Sequence, residues 1–185
     1  MARRFVISAL LLALALSAQA RTRPHYGGTL RIEIQGDPWQ IPDGLARQLV
    51  LDTLTTINDT GVAQPSLALR WTAQNADHRW EFPLRPGVRF QDGAPLTAES
   101  VVTALNDVCT RRAAATPPLA CPWRSVRAVG DSVIFVSDAA VPDLPALLAQ
   151  KAFAIARQNS SGAVIGTAPF RVTGFANGAL MLAAN

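Results

Sequence analysis

Two histidines, two cysteines and one lysine bound the chemistry open to this 185-residue chain. A serine-hydrolase mechanism needs a nucleophile, an imidazole base and an oxyanion hole. Only His25 and His78 could supply the base, and no Gly-x-Ser-x-Gly elbow is present. His25 lies just before the Gly27-Gly28 pair, and His78 stands where a strand begins after a turn. Neither histidine sits at ligand spacing to Cys109 or Cys121, so the cysteines do not read as a metal site. No catalytic residue, metal or cofactor is expected, and an exported hydrolase is the weakest of the readings weighed. A small structural protein of the cell envelope is the other alternative.

The N-terminus sets the compartment. Arg3 and Arg4 precede an apolar run from Phe5 to Leu16 that only Ser8 interrupts, and Ala18-Gln19-Ala20 offers small residues at the peptidase positions. This pattern predicts a signal peptide over residues 1–20, cut after Ala20. The run is shorter than the roughly 20 residues that span a bilayer. No cysteine follows it to carry a lipid. The mature chain is therefore expected to be soluble and periplasmic. In that oxidising setting Cys109 and Cys121 are expected to be bridged, with two buried free thiols as the alternative. The formal charge of +4 includes Arg3 and Arg4, and the remaining arginines are interleaved with acids. No basic stripe forms, so a nucleic-acid partner is not expected.

The elements that would position a site are short. Thr29 to Gln35 alternates apolar and polar residues as a half-buried strand, and Leu45 to Leu54 has helical spacing. Thr55 to Gln64 turns at Asp59-Thr60-Gly61. His78 to Leu84 alternates again, with Pro83 suggesting an edge strand or bulge. Thr97 can cap a helix from Ala98 to about Cys109, with Val101, Val102, Leu105 and Val108 inward. Arg111 to Pro122 reads as a loop, and Val126 to Val129 with Ser132 to Ser137 as a hairpin. A short helix near Asp143 to Gln150, an extended Ala152 to Ala156 and a loop at Asn159 to Gly162 follow. Phe170 to Phe175 and Ala179 to Ala183 flank Asn177-Gly178, a two-residue hairpin signal. The class is α+β, without internal repeats.

Several of these pieces occur together in a known order. The run Trp80-Glu81-Phe82-Pro83-Leu84-Arg85-Pro86-Gly87-Val88-Arg89-Phe90-Gln91-Asp92-Gly93-Ala94-Pro95-Leu96-Thr97-Ala98-Glu99-Ser100-Val101-Val102 resembles a signature of the family 5 extracellular solute-binding proteins. These are the oligopeptide-, dipeptide- and nickel-binding receptors of bacterial ABC importers. Pro65-Ser66-Leu67-Ala68-Leu69-Arg70-Trp71 upstream and Ile165-Gly166-Thr167-Ala168-Pro169-Phe170 downstream are similar to flanking family segments, as is Gly27-Gly28-Thr29-Leu30 at the start. Ser100 stands where the family usually has Asp, which is expected to weaken the reciprocal helix cap. Ala168 replaces a family glycine.

The resemblance implies a type II periplasmic-binding-protein fold, of which residues 21–185 look like part of the first lobe. Residues 55–160 would form an inserted subdomain, and 21–54 and 161–185 the main-lobe strands, with the first strand and the final hairpin in one sheet. Family members continue into a second lobe that closes on the ligand, so the chain reads as truncated and is expected to bind little alone. The implied partners are a peptide or other small-molecule ligand and the permease subunits of the importer. The loop after the first strand would border the cleft, making Gln35, Gly36, Asp37 and Trp39 the candidate ligand contacts. An Asx turn at Asp37 is the plainer alternative.

Overall fold

The structure, a computed structural model, describes residues 44–160, 162–176 and 179–185. The expected signal peptide, the Thr29 to Gln35 strand and the Gln35, Gly36, Asp37 and Trp39 loop lie outside the described residues. Helix α1, Leu45–Val50, comes first and stops at an extended Leu51, earlier than the Leu54 the periodicity predicts. Strands β1 (Thr55–Ile57) and β2 (Ala63–Pro65) pair as a hairpin. Its loop is held by the Asn58 side chain, which accepts from the Thr60 and Val62 amides.

The main sheet is antiparallel, in the order β3-β4-β6-β5. Its strands are β3 (Thr72–Gln74), β4 (Arg79–Pro83), β5 (Ser125–Val129) and β6 (Ser132–Val136). β4 is central rather than an edge. Pro83 is tolerated because it ends the strand, past the last pairing with β3, where its carbonyl accepts from the Leu69 amide at 2.8 Å. Alternation in β4 puts Trp80 and Phe82 on the buried face, as predicted. Helix α2, Ala98–Ala113, lies against β5 and β6 and buries Val101, Ala104, Leu105 and Val108. It runs four residues beyond the expected end, because Thr110, Arg111, Arg112 and Ala113 contain no breaker before the prolines at 117 and 118.

The Thr97 hydroxyl accepts from the Ser100 amide at 3.2 Å, and the Ser100 hydroxyl accepts from the Thr97 amide at 3.0 Å. Both halves of the capping box therefore form, and serine replaces the expected aspartate without loss of the reciprocal bond. Cys109 near the end of α2 is joined to Cys121, with Cα atoms 5.7 Å apart. Helix α3 (Leu144–Leu148) follows the sheet, then a 3-10 turn, Lys151–Phe153, where extended chain was expected. The 3-10 turn brings Phe153 against Trp123, with ring centroids 5.4 Å apart.

Two short hairpins complete the chain. β7 (Arg157–Gln158) pairs with β8 (Val164–Ile165). β9 (Phe170–Ala176) pairs with β10 (Ala179–Ala184), with Ala176 opposite Ala179, so the strands flank the Asn177-Gly178 dipeptide. No helix among the described residues is long and apolar enough to cross a membrane.

Candidate functional site

The signature segment does structural work. The Arg85 guanidinium donates to the Ser66 carbonyl at 3.2 Å, and the Asp92 carboxylate accepts from the Ala94 amide at 3.2 Å. His78 Nδ1 lies 3.3 Å from the Ser137 carbonyl at the end of the sheet. Among the described residues no group of three or more histidine, cysteine or acidic side chains is placed to hold a metal.

Gln91 makes the tie between the signature turn and the last strands. Its amide nitrogen donates to the carbonyls of Val50 (3.0 Å), Ala168 (3.2 Å) and Phe170. Its side-chain oxygen accepts from the Gly166 amide at 3.0 Å, and its own amide donates to the Gly166 carbonyl at 2.9 Å. Gly166 cannot be larger, since a Cβ there would stand 2.0 Å from the Val50 carbonyl oxygen. Ala168, in place of the family glycine, is buried and fits. Sequence pattern gave no sign of the role of Gln91, because it occupies a variable position of the signature.

One open feature among the described residues is a groove of about 680 Å³. One wall is a face of α2: Ser100, Thr103, Ala104, Asp107 and Arg111, at positions that recur every three to four residues along one side of the helix. The facing wall comes from α1 through Arg47 and Leu51, and from the β7–β8 hairpin through Arg157, Gln158 and Val164. The volume is within the range of small-ligand sites.

Charge in and beside the groove is uneven. Arg157 pairs with the Asp92 carboxylate and lies over the Phe90 ring, 5.0 Å from its centroid. That guanidinium holds the Asp92 carboxyl below its ordinary value, chiefly by hydrogen bonding. Arg47 donates to the Lys151 carbonyl at 3.3 Å. Lys151 itself donates to the Leu51 carbonyl at 3.0 Å. Burial pushes the Lys151 ammonium down from its ordinary value; the Asp52 charge opposes this and Arg47 adds to it. By contrast, the side chains of Asp107 and Arg111 are exposed, and neither has an ion-pair or hydrogen-bond partner among the described residues. Apart from Ser100, noted for its place in the helix cap, none of these groove residues was singled out by sequence reasoning, since they are scattered from Arg47 to Val164 and no motif joins them.

Residues 62–185 match the model of the bacterial extracellular solute-binding proteins, family 5 middle. The chain is 39% identical over 69 residues to a probable deoxycholate-binding periplasmic protein, YgiS, of Escherichia coli K12, covering 36% of this chain and 13% of that protein. It is 34% identical over 139 residues to the HTH-type transcriptional regulator SgrR of Pectobacterium atrosepticum, covering 69% of this chain and 23% of the regulator. In fold it is similar to a nickel ABC transporter structure from Bacillus halodurans, with a TM-score of 0.70 at 20% identity, covering 82% of this chain. The chain spans only 33% of that structure and smaller shares of the two curated relatives. The family model matches two-thirds of the sequence, a span that holds the signature, the α2 helix and the return strand, and the chain belongs to the family 5 extracellular solute-binding proteins.

Proposed function

We propose that this chain supplies part of the substrate-binding component of an ABC importer, working in the periplasm with a peptide as its ligand. One observation carries the reading: the signature from Trp80 to Val102 folds into the strand, turns and capped helix of the family and is fastened through Gln91 to the return strand. This is a receptor frame rather than a catalytic one. Residues 55–160 act as the inserted subdomain, with 21–54 and 161–185 as main-lobe strands. Gln35, Gly36, Asp37 and Trp39 border the cleft, where Asp37 can meet an ammonium and Trp39 can stack on a side chain. The peptide class is supported by resemblance to the oligopeptide and dipeptide receptors. The permease subunits are the protein partner.

The match to a transcriptional regulator favours a second reading, a ligand-sensing module inside a regulatory protein. The charged start, apolar run and Ala18-Gln19-Ala20 site support export instead. Cell fractionation and mass spectrometry of the N-terminus decide between them. A periplasmic product beginning at Arg21 is expected, and an uncut cytoplasmic one overturns the reading. For the ligand, titration calorimetry of residues 21–185 against a peptide pool, nickel–histidine and deoxycholate is the test. Weak peptide binding is expected from a partial cleft, because a closed site buries about 70–90% of such a ligand. Saturation by nickel–histidine or deoxycholate with no response to peptides would sink the peptide assignment.

A further inference from the structure

The last turn of α2 has no buried residue. Val108 is the final buried position of the helix, and Thr110, Arg111 and Ala113 are exposed. Helix ends fray where packing does not hold them. This one is held by the Cys109–Cys121 bond and by the Arg112 carbonyl, which accepts from the Leu119 amide at 2.9 Å. The Arg112 guanidinium adds a contact to the core, lying over the Phe153 ring at 5.0 Å from its centroid.

Phe153 is the buried ring on which both ends of the bridge converge. Arg112 follows Cys109 and reaches it from the helix. Trp123 follows Cys121, meets Phe153 at 5.4 Å and is fixed to the sheet by Phe135, with centroids 5.0 Å apart. The bridge, with its Cα atoms 5.7 Å apart, therefore keeps the helix end close to Trp123. Phe153 in turn ends the 3-10 turn Lys151–Phe153, a strained hydrogen-bond geometry that depends on what docks against it. That turn is joined to α1 and the residues after it. Lys151 donates to the Leu51 carbonyl at 3.0 Å, Arg47 donates to the Lys151 carbonyl at 3.3 Å, and the Ile155 amide donates to the Asp52 carbonyl at 2.8 Å.

We propose that the Cys109–Cys121 bridge is a redox-sensitive latch on this joint. Closed, it holds Arg112 on Phe153 and so keeps the 3-10 turn seated against α1. Opened by a dithiol reductant, it frees the last turn of α2, and the turn at Lys151–Phe153 loosens while the main sheet keeps its packing. Both cysteines are partly exposed, so the bond can be reached. One thiolate of the dithiol attacks a bridge sulfur, the Cys109–Cys121 bond breaks and a mixed disulfide forms. The second thiolate displaces it, the dithiol leaves as a disulfide, and its two protons end on the two cysteines.

The test is amide NMR of the whole chain, oxidised and in dithiothreitol. Reduction should move the signals of Leu51, Lys151, Phe153 and Ile155 as well as those around the bridge. Signals of β3, at the opposite edge of the sheet from β5, should stay in place. A bridge that acts only by constraining the unfolded chain leaves the native spectrum at the joint unchanged. Change confined to residues 109–122 would therefore overturn the latch, and so would collapse of the whole spectrum, β3 included. Arg112→Gln, at a partly exposed side chain, separates the route from the bond. With the bridge intact, it should speed exchange of the Ala154 and Ile155 amides about tenfold, as loss of a cation–ring contact predicts. Reduction of that variant should then move the joint signals little further. Unchanged exchange, or a second movement of full size, would show that the bridge does not act through Phe153.

Discussion

Two regions of the molecule are held together by different physics. Around the main sheet, Phe82, Phe135, Trp123 and Phe153 make a continuous aromatic contact, with centroids 5.0 to 5.4 Å apart between successive rings. Leu105, Val101, Leu144 and Leu148 are buried against the same cluster. Among the described residues a second and smaller cluster has Val50, Leu51 and Ala154 buried, with partly buried Val164, Val172 and Leu182 packed on it. Polar ties do the remaining work there: Gln91 on three carbonyls, Thr167 Oγ1 donating to Asp52 at 2.8 Å and Lys151 on Leu51. A core built on area loses stability in proportion to what is removed. A joint built on a few directional bonds depends on single atoms.

The sharpest way to break this contrast is in the aromatic core. Phe82→Ala should cost about 3–5 kcal/mol, the usual loss for a buried phenylalanine, and urea unfolding should show it. A loss below about 1 kcal/mol would mean the rings are not the principal support. Reduction of Cys109–Cys121 comes next, at about 3 kcal/mol in the loop-entropy account, read as a lower thermal midpoint. Thiol labelling of unreduced, denatured protein should find no free cysteine.

Gly166→Ala tests the joint. With the new Cβ 2.0 Å from a backbone oxygen, the chain must shift, at about 1–3 kcal/mol. Hydrogen exchange should rise in β9 and leave β4 and β6 protected; equal change in both would dissolve the distinction between the regions. Gln91→Ala should give the same pattern at a comparable cost, about 1–3 kcal/mol for carbonyls left without a donor.

The smallest effect belongs to Asp92. Its carboxyl titrates below the ordinary value of 3.8, so its contribution is present in full above that pH and fades as the pH falls through the lower folded value. The side chains of Asp92 and Arg157 are 36% and 37% exposed, which screens the pair. Asp92→Asn should therefore be slightly less stable than the parent near neutrality, and the two should converge as the pH falls through the lowered folded value. A gap that persists in acid would assign the effect to the turn rather than to the charge.

The aromatic region was largely legible in the sequence. Alternation at Trp80, Phe82 and Leu84 and the Thr97 cap are local signals, and the structure keeps them. Boundaries failed where one local preference was overruled by another contact. Ala152 to Ala156 looks extended until Phe153 docks on Trp123, and the proline of β4 looks like an edge until the short β3 leaves its last position free. The joint was not legible, since Gln91 meets partners at 50, 166, 168 and 170 only through the fold. The groove was not legible either, for the same reason. The expected contacts Gln35, Gly36, Asp37 and Trp39 came from family resemblance alone.

The cysteine link also decides what a protease would leave behind. Residues 113 to 120 are exposed throughout, and the chain from Cys109 to Cys121 is the least covered stretch of the sheet region. A cut anywhere between the two cysteines severs the backbone but not the molecule. α2 would stay covalently fastened to the strand that follows, and the nicked protein would run as one band on a gel until reductant splits it into two.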